Sequence, residues 1–121
     1  MLYHLALVSD WEAAIAEGAY RVSTLGRSLA DEGFVHAAFD HQVRGVAERF
    51  YAAVREPLVL LLVDERRLSS PWQVDDVPGA GEGFPHVYGP IDLTAVVATS
   101  TVVRDRDGTW HGLGVIGGAP A

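Results

Sequence analysis

The chain has 121 residues, with nine basic and sixteen acidic residues and a formal net charge of −7. That length makes one domain, and 49% hydrophobic residues can build a core without disulfides or a structural metal. Cysteine and lysine are both absent, which excludes thiol nucleophiles, Cys-ligated zinc, iron–sulfur clusters, Schiff-base chemistry and the lysine of a phosphate-binding loop.

All nine basic residues are arginine. So acidic a surface repels phosphate backbones and anionic lipid, so neither nucleic acid nor membrane is expected as a partner. No apolar run reaches the roughly 18 residues of a membrane span. Met1-Leu2-Tyr3-His4 carries no basic leader, and a cytoplasmic protein is the expectation.

Leu2 to Val8 is a short apolar run, read as a strand that starts the core. Ser9 stands three residues before Glu12, the spacing of a capping box, and residues 9–18 read as a short helix closed by Gly18. Arg21-Val22 reads as a short strand, and residues 23–32 as a loop with one helical turn. Residues 33–36 read as a strand. Asp40 is then the expected cap of the clearest helix, in which Val43, Val46, Ala47, Phe50, Tyr51 and Val54 make one apolar stripe and Pro57 closes the segment.

Residues 58–63 are apolar at every position, as in a central strand buried on both faces. A polar turn covers residues 64–70. A strand over 72–75 and a glycine-rich loop over 78–83 follow. Residues 95–103 are strongly β-forming, and residues 109–113 should pair with them across the Asp105–Gly108 turn. The expected domain is residues 1–113, with 114–121 a frayed Gly/Ala-rich tail. The fold class expected is α+β, with two helices on mostly antiparallel sheets.

Three histidines sit on strand-like segments beside aromatics. Side chains alternate along a strand, so His4 shares a face with Leu2 and Ala6, His36 with Phe34, and His86 with Tyr88. An imidazole can accept or donate a proton near neutral pH, and a phenol can donate or stack. His4, His36, His86 and Tyr88 are therefore the candidate catalytic residues, if their strands converge. Each could equally be a satisfied core or turn residue. The histidines lack the local spacing of a metal site, and no metal is expected.

Gly26-Arg27-Ser28-Leu29-Ala30 lacks the last glycine of a nucleophile elbow, so a serine hydrolase is not expected. Arg21 and Arg27 are candidates for holding an anion. Residues 79–83 read as a flexible connection or a lid. Asp75 and Asp76 point to opposite sides of a strand and would not form a dyad. Glu32 and Glu82 could each reach a site. Trp72 and Trp110 read as core or edge-covering aromatics.

Tyr3-His4, Trp11, Tyr20, Ser28-Leu29, Glu32-Gly33-Phe34-Val35-His36, Gln42-Val43, Phe50-Tyr51, the run from Leu58 to Asp64 and Phe84-Pro85-His86-Val87-Tyr88-Gly89-Pro90 together resemble the DUF952 family of small bacterial proteins of unknown function. The resemblance covers residues 2 to about 98. It implies a fold related to the ADP-ribosyltransferases, which bind NAD between two small antiparallel sheets, in a split β-sandwich. It also implies that His4 matches a histidine that contacts the NAD ribose, that the residue 33–36 strand matches the second motif, and that His86 to Tyr88 lie near the third. The family often reads Gly-Phe-Ile-His-Cys-Ser where this chain has His36-Ala37-Ala38, and the catalytic glutamate of the better-known transferases has no obvious counterpart.

Three functions follow as expectations. One is an NAD-dependent transferase or glycohydrolase, with His4, Arg27 and Tyr88 on the cofactor and Tyr3, Phe34 and Glu82 on the substrate. Converging arginines would mark it, because NAD carries a pyrophosphate. Another is a cofactor-independent isomerase, cyclase or lyase with His86 and Tyr88 as acid and base, marked by an apolar cleft without such arginines. The last is a non-catalytic module for a small-molecule ligand, with a homodimer formed along the 95–103 or 109–113 edge.

Overall fold

The computed structural model describes residues 1–113. In chain order it contains β1 (Leu2–Leu7), α1 (Val8–Glu17), β2 (Ala19–Tyr20), β3 (Val22–Thr24), β4 (Arg27–Ser28), α2 (Leu29–Glu32), β5 (Val35–His36), α3 (Val43–Phe50), β6 (Leu58–Val63), β7 (Trp72–Asp76), β8 (Gly83–Val87), β9 (Ile91–Asp92), β10 (Val96–Arg104) and β11 (Trp110–His111). The predicted 114–121 tail lies outside the described residues.

The all-apolar β6 is the centre of a four-stranded antiparallel sheet, order β1-β6-β10-β11, and all six of its residues are buried. Both of its faces meet apolar layers, as its composition requires. Val59, Leu61 and Val63 face a layer built from Leu2, Ala6, Ala14 and Tyr20. Leu58, Leu60 and Leu62 face Tyr3, Leu5, Val43, Ala47 and Tyr51. The helices α1 and α3 therefore cover opposite faces of this sheet.

A second sheet has the order β5-β8-β7, and two two-stranded pairs, β2-β9 and β3-β4, complete the fold. The chain leaving β5 joins the two larger sheets. Ala37 donates its N–H to the Pro85 carbonyl at 3.0 Å, and Ala38 exchanges two 2.8 Å backbone bonds with Tyr3. That one-residue hand-over brings β1 beside β5.

Several local expectations are corrected. α1 begins at Val8 straight from β1 with no side-chain cap, so Ser9 lies inside the helix. Gly18 does close it, at φ 93° with its N–H on the Ala14 carbonyl. The capping box is at Ser28 instead, where Ser28 and Asp31 each accept the other's N–H. Gly33 caps α2 at φ 85° rather than opening a strand. Asp40 does not cap α3: a 3-10 turn over Asp40–Gln42 leads into it, and Gln42 Oε1 accepts the Phe39 N–H at 3.0 Å. Phe50 ends α3 and is 44% exposed, outside the stripe's buried part. β2 and β3 flank Arg21 in place of one strand, and β11 is two residues long.

Most of the outer edge of β10 carries no partner strand among the described residues. β10 holds β6 on one side, and β11 covers its other side only at Val103 and Arg104. Trp110 is buried in the core, whereas Trp72 sits half-exposed on the outer strand β7. Among the described residues no helix is long and apolar enough to cross a membrane.

Candidate functional site

The site is one face of the β5-β8-β7 sheet. Register places His36 opposite His86, and His86 opposite Gln73, so the three side chains form a row across it. Residues two apart join the same face, which adds Phe34, Phe84, Tyr88 and Asp75. Val35, Val87 and Pro85, between them in sequence, are buried in the opposite direction. Alternation alone thus separates a polar face from a core face.

Hydrogen bonds run along that row. His86 Nδ1 lies 2.8 Å from Asp75 Oδ2, and His86 Nε2 lies 3.1 Å from His36 Nδ1. Tyr88 also donates its hydroxyl to Asp75 Oδ2, and Gln73 Nε2 donates to Asp75 Oδ1 at 2.6 Å. Tyr88 first, with His86 and Gln73, holds the Asp75 carboxyl below the usual carboxylate range against the effect of desolvation. Asp75 also pushes the Tyr88 phenol up. The ring of Phe34 stacks on His86, with centroids 3.9 Å apart and planes 13° from parallel.

The contact with Asp75 places one proton and orders the rest of the row. An ionised carboxylate can only accept, so His86 carries its proton on Nδ1. With that single proton on Nδ1, His86 presents Nε2 as the acceptor for His36 Nδ1–H at 3.1 Å. That leaves His36 Nε2 as a lone pair; it is not buried and no described residue bonds it. Burial, then coulombic repulsion from His86, His4 and Arg49 against a protonated ring, lower the His36 pKa to about 4, so the ring is neutral at pH 7.

His4 sits beneath this row rather than in it. It is 3% exposed. Its Nδ1 donates to the His36 carbonyl at 2.6 Å, and its Nε2 accepts from the Tyr20 hydroxyl at 2.9 Å. Burial lowers its pKa to about 4 and raises that of Tyr20. Both ring nitrogens are committed, so His4 fixes the backbone of His36 and has no free edge. Tyr3, on the other face of β1, is buried against α3 and borders a void of about 10 Å3, the size of one water.

Above the row lies a cleft of about 620 Å3, lined by His36, His86, Asp75, Phe34, Phe50 and Pro78. Its walls are mainly apolar, as in most small-molecule sites. Arg27 and Glu32 stand at its rim in a 3.3 Å ion pair. Arg21 does not line it. Glu82 is not in the cleft either: its Oε1 accepts from Gln42 Nε2 at 2.8 Å and His41 Nε2 at 3.3 Å beside a neighbouring pocket. Among the described residues no group of three His, Cys, Asp or Glu side chains is arranged to hold a metal ion.

Of the residues singled out from sequence, His36, His86, Phe34 and Tyr88 therefore meet on one face. His4 supports them from below, Arg27 stands at the rim, and Tyr3 and Glu82 lie outside. Sequence reasoning passed over Asp75 and Gln73, because only a dyad with Asp76 was weighed. The signal was available in the alternation of residues 72–76. Had that strand been paired with residues 83–87 across the glycine loop, Asp75 would have come to the face of His86.

Short antiparallel sheets, three short helices and a histidine row under a cleft define a mixed α+β protein with a candidate small-molecule site. The chain belongs to the DUF952 family, whose model, described as a protein of unknown function, matches residues 6–99. The fold is similar to the crystal structure of protein CC0527 from Caulobacter crescentus, with a TM-score of 0.77 and 26% identity over 91% of this chain and 92% of that one. The solution NMR structure of CC0527 gives a TM-score of 0.64 at 26% identity, covering 88% of each chain. A search of curated proteins finds no match.

Proposed function

We propose that the cleft binds a small organic molecule and that His36 serves it as a general base, in an enzyme that needs no cofactor. The observation that carries this reading is the chain Asp75–His86–His36, which ends on a free imidazole nitrogen in an apolar cleft. A base needs an available lone pair within reach of its substrate. When Nε2 of His36 takes a proton, its Nδ1 proton can pass to Nε2 of His86. The positive charge then rests beside the Asp75 carboxylate, where it is stabilised. Asp75 and His86 are positioning residues, and Tyr88 and Gln73 hold Asp75 in place.

This moves the acid–base role from the His86/Tyr88 pair to His36, since Tyr88 is spent on Asp75. It also weighs against NAD and an ADP-ribosyltransferase-like activity. A pyrophosphate calls for converging arginines, whereas Arg27 is paired with Glu32 and Arg21 is elsewhere. His4, matched to the ribose contact, has no free nitrogen.

The test is an NMR titration of the full chain, observed at the histidine imidazoles, with NAD beside a panel of small neutral and anionic aromatic compounds. Members of the panel are expected to shift the His36 and His86 signals while NAD leaves them unmoved. Micromolar binding of NAD with shifts at Arg27 and Tyr88 would restore the transferase reading. A panel that moves no imidazole would overturn the site.

A further inference from the structure

The cleft continues past Phe50. His36, Phe50 and Val77 line both it and a neighbouring pocket of about 260 Å3, to which Arg49, His41 and Glu82 belong. The half-exposed Phe50 ring stands at the junction. Arg49, in the last turn of α3, lies with its guanidinium carbon 5.3 Å from the centre of that ring.

The arginines around His36 differ in one respect. Arg27 is neutralised by Glu32 at 3.3 Å. Arg49 pairs with no carboxylate among the described residues. The acid in its own pocket, Glu82, is held instead by Gln42 and His41. In a chain of net charge −7, an unpaired guanidinium next to an apolar cleft is a local site for a planar anion, which its fork of donors binds two-pronged.

We infer that the molecule bound in the cleft is a small monocarboxylate with an apolar body. The carboxylate sits on Arg49 in the smaller pocket, and the body crosses Phe50 to lie against His36 and Phe34. The inference rests on the reading of the cleft as a small-molecule site and adds the chemical class of its occupant. Arg49 and His36 already sense each other, since the Arg49 charge contributes to the lowered pKa of His36. A carboxylate on Arg49 offsets that charge and leaves His36 a stronger base while the ligand is bound.

Benzoate and its neutral isostere benzamide test this on the full chain, with binding followed at the His36 imidazole and the Arg49 Nε–H. Benzoate is expected to bind at least tenfold more tightly than benzamide. Arg49→Gln, an exposed position, should erase the difference and leave benzamide affinity unchanged, and Arg49→Lys should recover part of it. Equal affinity for the two compounds, or a benzoate preference that survives Arg49→Gln, overturns the carboxylate assignment and leaves the cleft reading standing. If neither compound moves the His36 imidazole, the carboxylate assignment falls, and the cleft reading falls with it only where the wider panel also moves no imidazole.

Discussion

His4 shows how a histidine can matter without touching a ligand. It ties the Tyr20 hydroxyl to the His36 carbonyl inside the core. Replacing it with leucine leaves both partners buried and unpaired, and each such group costs about 1–3 kcal/mol. His4→Leu should therefore lose on the order of 2–5 kcal/mol in urea unfolding. The same burial makes stability depend on pH. An unfolded histidine takes its proton near pH 6.5, whereas folded His4 and His36 resist until about 4. The unfolded chain thus binds more protons between these values. Stability should be full above about pH 6.5 and fall toward pH 4, with His4 alone contributing about 3 kcal/mol to the loss. Denaturation midpoints measured across that window check the sign; a rise on acidification would contradict it. Alternation correctly paired His36 with Phe34 and His86 with Tyr88. It could not show that the nitrogens of His4 were already taken, because that depends on the distant Tyr20.

At the scale of elements, the signals that survived were those with one physical cause. Gly18 ends α1 because its φ of 93° is open to glycine at little cost. Six successive apolar residues made β6 central because no polar face was left to turn outward. Caps were less legible. Ser9 and Glu12 have the right spacing, yet β1 runs straight into α1 and leaves no room for a separate cap residue, while Ser28 and Asp31 form the reciprocal pair. Ser28→Ala should cost about 1 kcal/mol, and Ser9→Ala should change stability by less than half of that. Gly112 is a stronger case than Gly18. Its φ is 90°, and a Cβ there would lie 1.9 Å from the Thr101 carbonyl oxygen, whereas at Gly18 it would meet open space. Gly18→Ala should lose roughly 1–2 kcal/mol for its left-handed backbone. Gly112→Ala should lose more and detach β11 from β10, which amide exchange at residues 110–111 would report. Equal losses at the two glycines would contradict that ordering.

Across the whole molecule, the two larger sheets share one core and meet at Ala37 and Ala38, so the described residues should unfold as a single cooperative unit. Leu60, fully buried at the centre of β6, gives the sharpest test: Leu60→Ala should cost about 2–5 kcal/mol and lower every spectroscopic transition together. The α+β class and the buried central strand were readable from composition and periodicity. The convergence of the histidines was not, because it needs the order β5-β8-β7 and the hand-over to β1. Both are set by backbone pairing between segments up to some 50 positions apart, as from His36 to His86. Family resemblance supplied the expectation that the three strands meet, and the register supplied Asp75.

The proposed base rests on one arrangement of protons, and that arrangement can be read directly. Long-range 15N–1H NMR of the imidazoles at neutral pH distinguishes the two ring nitrogens of each histidine. The expected result is His86 with a proton on Nδ1, beside Asp75, and His36 with its one proton on Nδ1 and a bare Nε2. Asp75→Asn should disturb His86 first and His36 through it. A His36 that carries its proton on Nε2, or that is unmoved by the loss of the Asp75 carboxylate, would rule out His36 as the base at the end of this chain.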